Sequence, residues 1–102
     1  MPFRLSIAVD RDVRDIHTFG TLSFGERQAD SYLKALMKEF EFVGANPRAS
    51  RERREINPPV RVHVTGSHLI IYSIDERGAF ILRIMHDHAD WQTELSEKSH
   101  PS

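Results

Sequence analysis

The chain contains no cysteine among its 102 residues. Disulfides and thiolate zinc sites are excluded, and a reducing compartment suits it. It also lacks any apolar run near the ~20 residues that span a bilayer. Met1 to Asp10 carries only a short apolar alternation followed by charge, which is not the pattern of a secretory signal. A cytoplasmic location with no membrane partner is therefore expected. An excess of one charge is missing too: 14 basic and 15 acidic residues leave a net charge of −1. That balance speaks against strong non-specific binding of nucleic acid, and direct sequence-specific binding is not expected. One stretch departs from it, Arg48 to Arg54, with four arginines against one glutamate.

What is present suits a folded chain. Hydrophobic residues make up 39% and charged residues 28%, a globular rather than a disordered composition. One domain over residues 1–95 is expected, with a modest core and a polar, frayed tail over 96–102. A tight partner would add much to its stability.

Phe3, Leu5 and Ile7 alternate with Arg4, Ser6 and Ala8, which predicts a short strand with one buried face. Asp10 is the expected N-cap of a following helix, with Asp12 in its first turn. Val9, Val13, Ile16 and Gly20 share one face of that helix, and Gly20 lets a neighbouring element approach. Phe24-Gly25 breaks the pattern. From Glu26 to Ala45, residues Ala29, Tyr32, Leu33, Leu36, Met37, Phe40 and Val43 form a broad apolar stripe. They predict a core-facing helix of ~30 Å. Gly44 and Asn46-Pro47 end it.

After a loop rich in proline and charge, Val60, Val62 and Val64 alternate with Arg61, His63 and Thr65. "SHLIIYSI" and "AFILRIM" follow, joined by the turn "DERG" at Asp75 to Gly78. Connections this short exclude parallel crossovers, so the three strands form an antiparallel meander. The fold expected is α+β, in the order β-α-α-β-β-β. An antiparallel sheet of the C-terminal meander plus the N-terminal strand packs against an αα-hairpin.

This order, with these residues, resembles the ParE branch of the RelE/ParE toxin superfamily. "FGERQADSYLKAL" is similar to the opening of that family's second helix, and "GANPRA" to its exit. "VRVHVTGSHLIIYSID" resembles the central hairpin, and "ILRIMHDHADW" the closing strand. The loop departs from the pattern in its arginines and in the two prolines of "INPPVR". The resemblance implies the toxin of a bacterial type II toxin–antitoxin pair, associated with plasmid maintenance and stress response. Its target would be DNA gyrase, through the A subunit. A ParD-like antitoxin would neutralise it by wrapping its surface with a C-terminal segment. The RelE branch implies the alternative, cleavage of messenger RNA on the ribosome. A degenerate toxin that only binds its antitoxin is a third reading.

The chemistry of the residues bears on that choice. Cleavage by a ribose hydroxyl needs a base, an acid and positive charge near the phosphate. Arg61, His63 and Arg83 would supply these if they gathered on one open sheet face, with His68 and His86 as further imidazoles. Their bland alternative is a solvated sheet face. For a gyrase poison no catalytic residues are expected. Its candidate contacts are Arg83, His86, Asp90 and Trp91 at the sheet end, and Arg51, Arg53 and Arg54 in the basic loop. On a continuing strand His86, His88 and Asp90 would share a face and resemble a metal-ligand set. The polar residues should end the strand there, so no metal and no cofactor is expected. In that reading His86 closes the strand, Asp90 braces the terminus and Trp91 packs as a lid.

Overall fold

The computed structural model describes residues 3–99. In chain order it contains β1 (Phe3–Leu5), α1 (Ile7–Phe24), α2 (Glu26–Ala45), β2 (Glu52–Arg53), β3 (Val60–Thr65), β4 (His68–Asp75), β5 (Gly78–His86) and α3 (Trp91–Ser99). The strands form one sheet in the order β1-β5-β4-β3-β2. The expected α+β architecture is present, with α1 and α2 laid over one face. The sheet is mixed rather than wholly antiparallel, because β1 pairs with β5 in parallel. The long path through both helices is what permits a parallel return. Among the described residues no helix is long and apolar enough to cross a membrane.

Helix α2 has the bounds its apolar stripe predicts. Leu36, Phe40 and Val43 are buried from it, together with Val9 of α1 and Phe3, Ile70, Tyr72, Ala79, Ile81 and Ile84 of the sheet. Phe3 meets Phe40 edge to face, with ring centroids 6.0 Å apart. The Tyr72 hydroxyl, at the bottom of this core, donates to the Pro47 carbonyl at 2.6 Å and so fixes the exit of α2. Met37 was expected in the core but is 42% exposed, since it lies at the margin of the stripe. Gly20 meets α2 closely: a Cβ there would stand 3.3 Å from the Cβ of Ala29.

The N-terminus differs from expectation. Only Phe3 is buried in β1; Leu5 is 43% and Ile7 95% exposed. The strand stops at Leu5 because Ser6, not Asp10, caps α1. The Ser6 hydroxyl accepts from the Val9 N–H at 3.3 Å and donates to the Leu82 carbonyl at 2.7 Å. The Ser6 N–H also donates to the Ile81 carbonyl at 2.9 Å. A β-bulge lies here: Tyr72 pairs with Ile81 while Ile71 pairs with Arg83, so Leu82 is the extra residue. Past the bulge the parity of β5 reverses. Ile81 and then Ile84 face the helices, whereas Met85 faces the other side.

That second face is not bare. Ile56, Val60, Leu69, Ile71 and Met85 form a smaller buried cluster, covered by Trp91 and Leu95 of α3. Helix α3 was not expected from the sequence, which places a polar, frayed tail from residue 96. The helix continues to Ser99, and residues 100–102 of that tail lie outside the described residues.

Candidate functional site

Between the helical hairpin and β5 lies a groove of about 610 Å³. Ile16, Phe19 and Phe24 of α1 form one wall, and Ile84 of β5 faces them, with Met85 also on the lining. Ala29 and Tyr32 of α2 close the back. The wall of α1 is wet: Phe19 is 67% and Phe24 63% exposed, and neighbouring Leu22 is 83% exposed. Large exposed apolar side chains this close together are the kind of patch a partner would cover.

Polar groups rim the groove. The Tyr32 hydroxyl shares a 2.6 Å hydrogen bond with His68 Nδ1. It reaches that far because Gly66 has no side chain; a Cβ there would stand 2.8 Å from the hydroxyl oxygen. His68 in turn meets His86 edge to face at 5.4 Å. Burial pushes the His68 imidazole below its ordinary pKa, the neighbouring His86 adds to this, and Asp87 opposes it. At the other corner Asp12 is nearly buried and accepts three hydrogen bonds. Two come from Arg83, Nε at 2.8 Å and Nη2 at 3.1 Å, and one from the Ile84 N–H at 2.9 Å. β1 has ended by this point, so the edge of β5 is free for the carboxylate to cap. The hydrogen bonds to Asp12 raise the Arg83 pKa above its ordinary value; burial opposes this, and the charges of Asp12 and Glu94 support it.

Arg61, His63 and Arg83, the set that RNA cleavage would need, do not share one sheet face. Arg61 and His63 lie opposite Tyr72 and Ile70 in register, on the helix side of the sheet. The bulge instead sets Arg83 opposite Ile71, on the other side, from which its side chain turns around the sheet edge to α1. Each of the three is also engaged within the chain. Arg61 Nη1 donates to the Ser50 carbonyl at 2.6 Å. His63 Nε2 donates to Glu39 at 2.9 Å, and its ring stacks on Phe42.

The interface candidates divide between two places. Arg83 and His86 line the groove. Trp91 packs on the second sheet face, with the Arg53 guanidinium 5.7 Å from its ring centroid. Arg54 pairs with Glu52 at 3.0 Å, and Arg51 is exposed. Asp90 caps α3, its carboxylate accepting from the Thr93 N–H at 3.4 Å. His86 Nδ1 accepts from the His88 N–H at 3.1 Å, which closes the strand. Sequence reading missed Phe19, Phe24, Tyr32 and His68 as groove residues. Phe19 and Phe24 are large aromatics of α1 outside the Val9-Val13-Ile16-Gly20 stripe, and that is the signal that could have marked them.

Comparison with known proteins agrees with this architecture. Residues 3–91 match the family model described as the ParE toxin of the type II toxin–antitoxin system parDE. Toxin ParE1 of Caulobacter vibrioides is 27% identical over 94 residues, covering 92% of this chain and 97% of that protein. Toxin ParE1 of Mycobacterium tuberculosis H37Rv is 30% identical over 94 residues, covering 91% and 96% respectively. A solved structure described as a chromosomal ParDE TA system from P. aeruginosa superposes with a TM-score of 0.72 at 19% identity. The match covers 84% of this chain and 95% of that one, and it carries the fold. With a family match spanning nearly all of its described residues, this chain belongs to the ParE toxins of type II toxin–antitoxin systems.

Proposed function

We propose that this chain inhibits DNA gyrase through a protein–protein interface and is neutralised by a ParD-like antitoxin. It acts in the cytoplasm, on the A subunit of gyrase, without catalytic residues of its own. The observation that carries this reading is the dispersal of Arg61, His63 and Arg83. Their donors are used by Ser50, Glu39 and Asp12, so these three do not converge on one point as base, acid and phosphate clamp. An interface needs no such convergence. The antitoxin segment lies in the groove, with apolar side chains against Phe19 and Phe24. That the P. aeruginosa neighbour is described as a ParDE system supports a partner of this kind. Gyrase meets the face where Arg83 and His86 stand, with Asp90, Trp91 and the arginines at 51, 53 and 54 as a second patch.

Expression of the chain alone in a bacterium, with DNA and protein synthesis pulse-labelled in parallel, tests the reading. DNA synthesis should fall first, and co-expression of the antitoxin should restore it. An earlier fall in protein synthesis, with transcripts cut on intact ribosomes, would overturn it in favour of RNA cleavage.

A further inference from the structure

The turn that leaves β5 gathers three side chains, of which the proposed gyrase interface uses only His86. His86, Asp87 and His88 are all exposed, and one ligand atom of each lies within 4.8 Å of the other two. We propose that this turn is a binding site for a divalent transition-metal ion, best suited to zinc, with these three side chains as ligands.

The backbone prepares the site. The Asp87 N–H donates to the Ser67 carbonyl and the Ala89 N–H to the His86 carbonyl, both at 2.9 Å. The turn is thus pinned to the β3–β4 connection and closed on itself. The His86 and His88 rings stand 5.0 Å apart, centroid to centroid, with planes 30° from parallel. Asp87 Oδ1 lies between them, 3.2 Å from His86 Nδ1 and 3.7 Å from His88 Nε2. Zinc binds imidazole nitrogen and carboxylate oxygen at ~2.0–2.2 Å, so its ligand atoms stand roughly 3.5 Å apart. Rotation of exposed side chains closes the remaining gap.

The donor set selects the ion. Two imidazoles and one carboxylate suit zinc, copper or nickel; calcium and magnesium prefer oxygen alone. The cost is the solvent-accessible hydrogen bond from the His88 N–H to His86 Nδ1, whose donor water can satisfy. The bend removes Asp90 from the set that a continuing strand would align. Asp90 is engaged as the cap of α3, and Asp87 takes its place. Three protein ligands leave a fourth tetrahedral position open. Because His86 also lines the groove, that position adjoins the groove mouth. The site does not depend on which molecule the toxin poisons.

The test is calorimetric titration of the full, tag-free chain with zinc chloride at neutral pH. One equivalent should bind saturably. His86→Ala and His88→Ala should each weaken binding by at least the ~10–100-fold that loss of an outer partner costs a metal site. Asp87→Asn should weaken it measurably. His17→Ala, remote and paired with Asp30, should leave it unchanged. Far-UV circular dichroism shows that the variants remain folded, as exposed substitutions should. Absence of saturable binding overturns the proposal, as does binding that survives in the His86→Ala/His88→Ala double variant. Unchanged affinity in Asp87→Asn overturns the three-ligand set.

Discussion

The two ends of the helical hairpin are made of similar side chains and behave differently. At the end beside β1, Val9, Phe40, Val43, Tyr72 and Ile81 are at most 1% exposed. At the tip, Phe19, Leu22 and Phe24 are each more than 60% exposed. The sheet buries the apolar stripe of the helices, whereas Phe19, Leu22 and Phe24 stand outside that stripe and stay exposed. Apolar surface left exposed does little for the isolated fold. It stores binding free energy for a partner, roughly 25 cal/mol for each Å² later removed from water.

Substitutions at the two ends should separate stability from binding. Phe40→Ala should cost about 3–5 kcal/mol of unfolding free energy in urea titrations, through lost burial and a cavity. Phe19→Ser should change stability by no more than about 0.5 kcal/mol while antitoxin affinity falls. Equal losses of stability at both positions would erase the distinction. Between the ends, Asp12→Ala removes the acceptor of three donors and leaves Arg83 without its carboxylate. A cost of roughly 3 kcal/mol is expected, with part recovered in Asp12→Asn; a loss below that of an ordinary surface substitution would mean the clasp is idle. Ser6→Ala removes the cap of α1 and should cost about 1 kcal/mol, visible as a lower thermal midpoint.

The smallest effect is electrostatic. At the sealed end Arg4 hydrogen-bonds Asp75 and, with the Arg77 N–H, holds its carboxyl below the ordinary pKa. A depressed carboxylate favours the folded state above its unfolded pKa, and that contribution disappears as the pH falls through the folded value. In Arg4→Ala the Asp75 midpoint should therefore rise, as NMR titration would follow. The pair is exposed, so the thermal midpoint at neutral pH should hardly move.

Legibility followed the length and regularity of each signal. The stripe of α2 runs about four turns, and the breaks at Phe24-Gly25 and Asn46-Pro47 mark its ends. The turn from Asp75 to Gly78 and the alternation at Val60 to Val64 are equally local, and both are found. What was hidden depends on contacts between distant residues. Ser6 becomes a cap because Leu82 and Ile81 hold it. Arg83 leaves the expected face because one extra residue, Leu82, enters β5, and no composition announces a bulge. Helix α3 has few apolar residues, and its position comes from Trp91 and Leu95 finding the second face. The groove is legible only in part, for its walls come from α1 and β5, which no spacing in the sequence relates.

That last separation has a consequence for how the toxin is made. Asp12 and Arg83 are 71 residues apart, and Ser6 and Leu82 are 76 apart. A ribosome adds about 5–20 residues each second, so α1 emerges seconds before the strand that completes the groove. During that interval the growing chain has neither the Asp12–Arg83 clasp nor the groove that it borders. Clasp and groove come into being together, at the moment α1 and β5 meet.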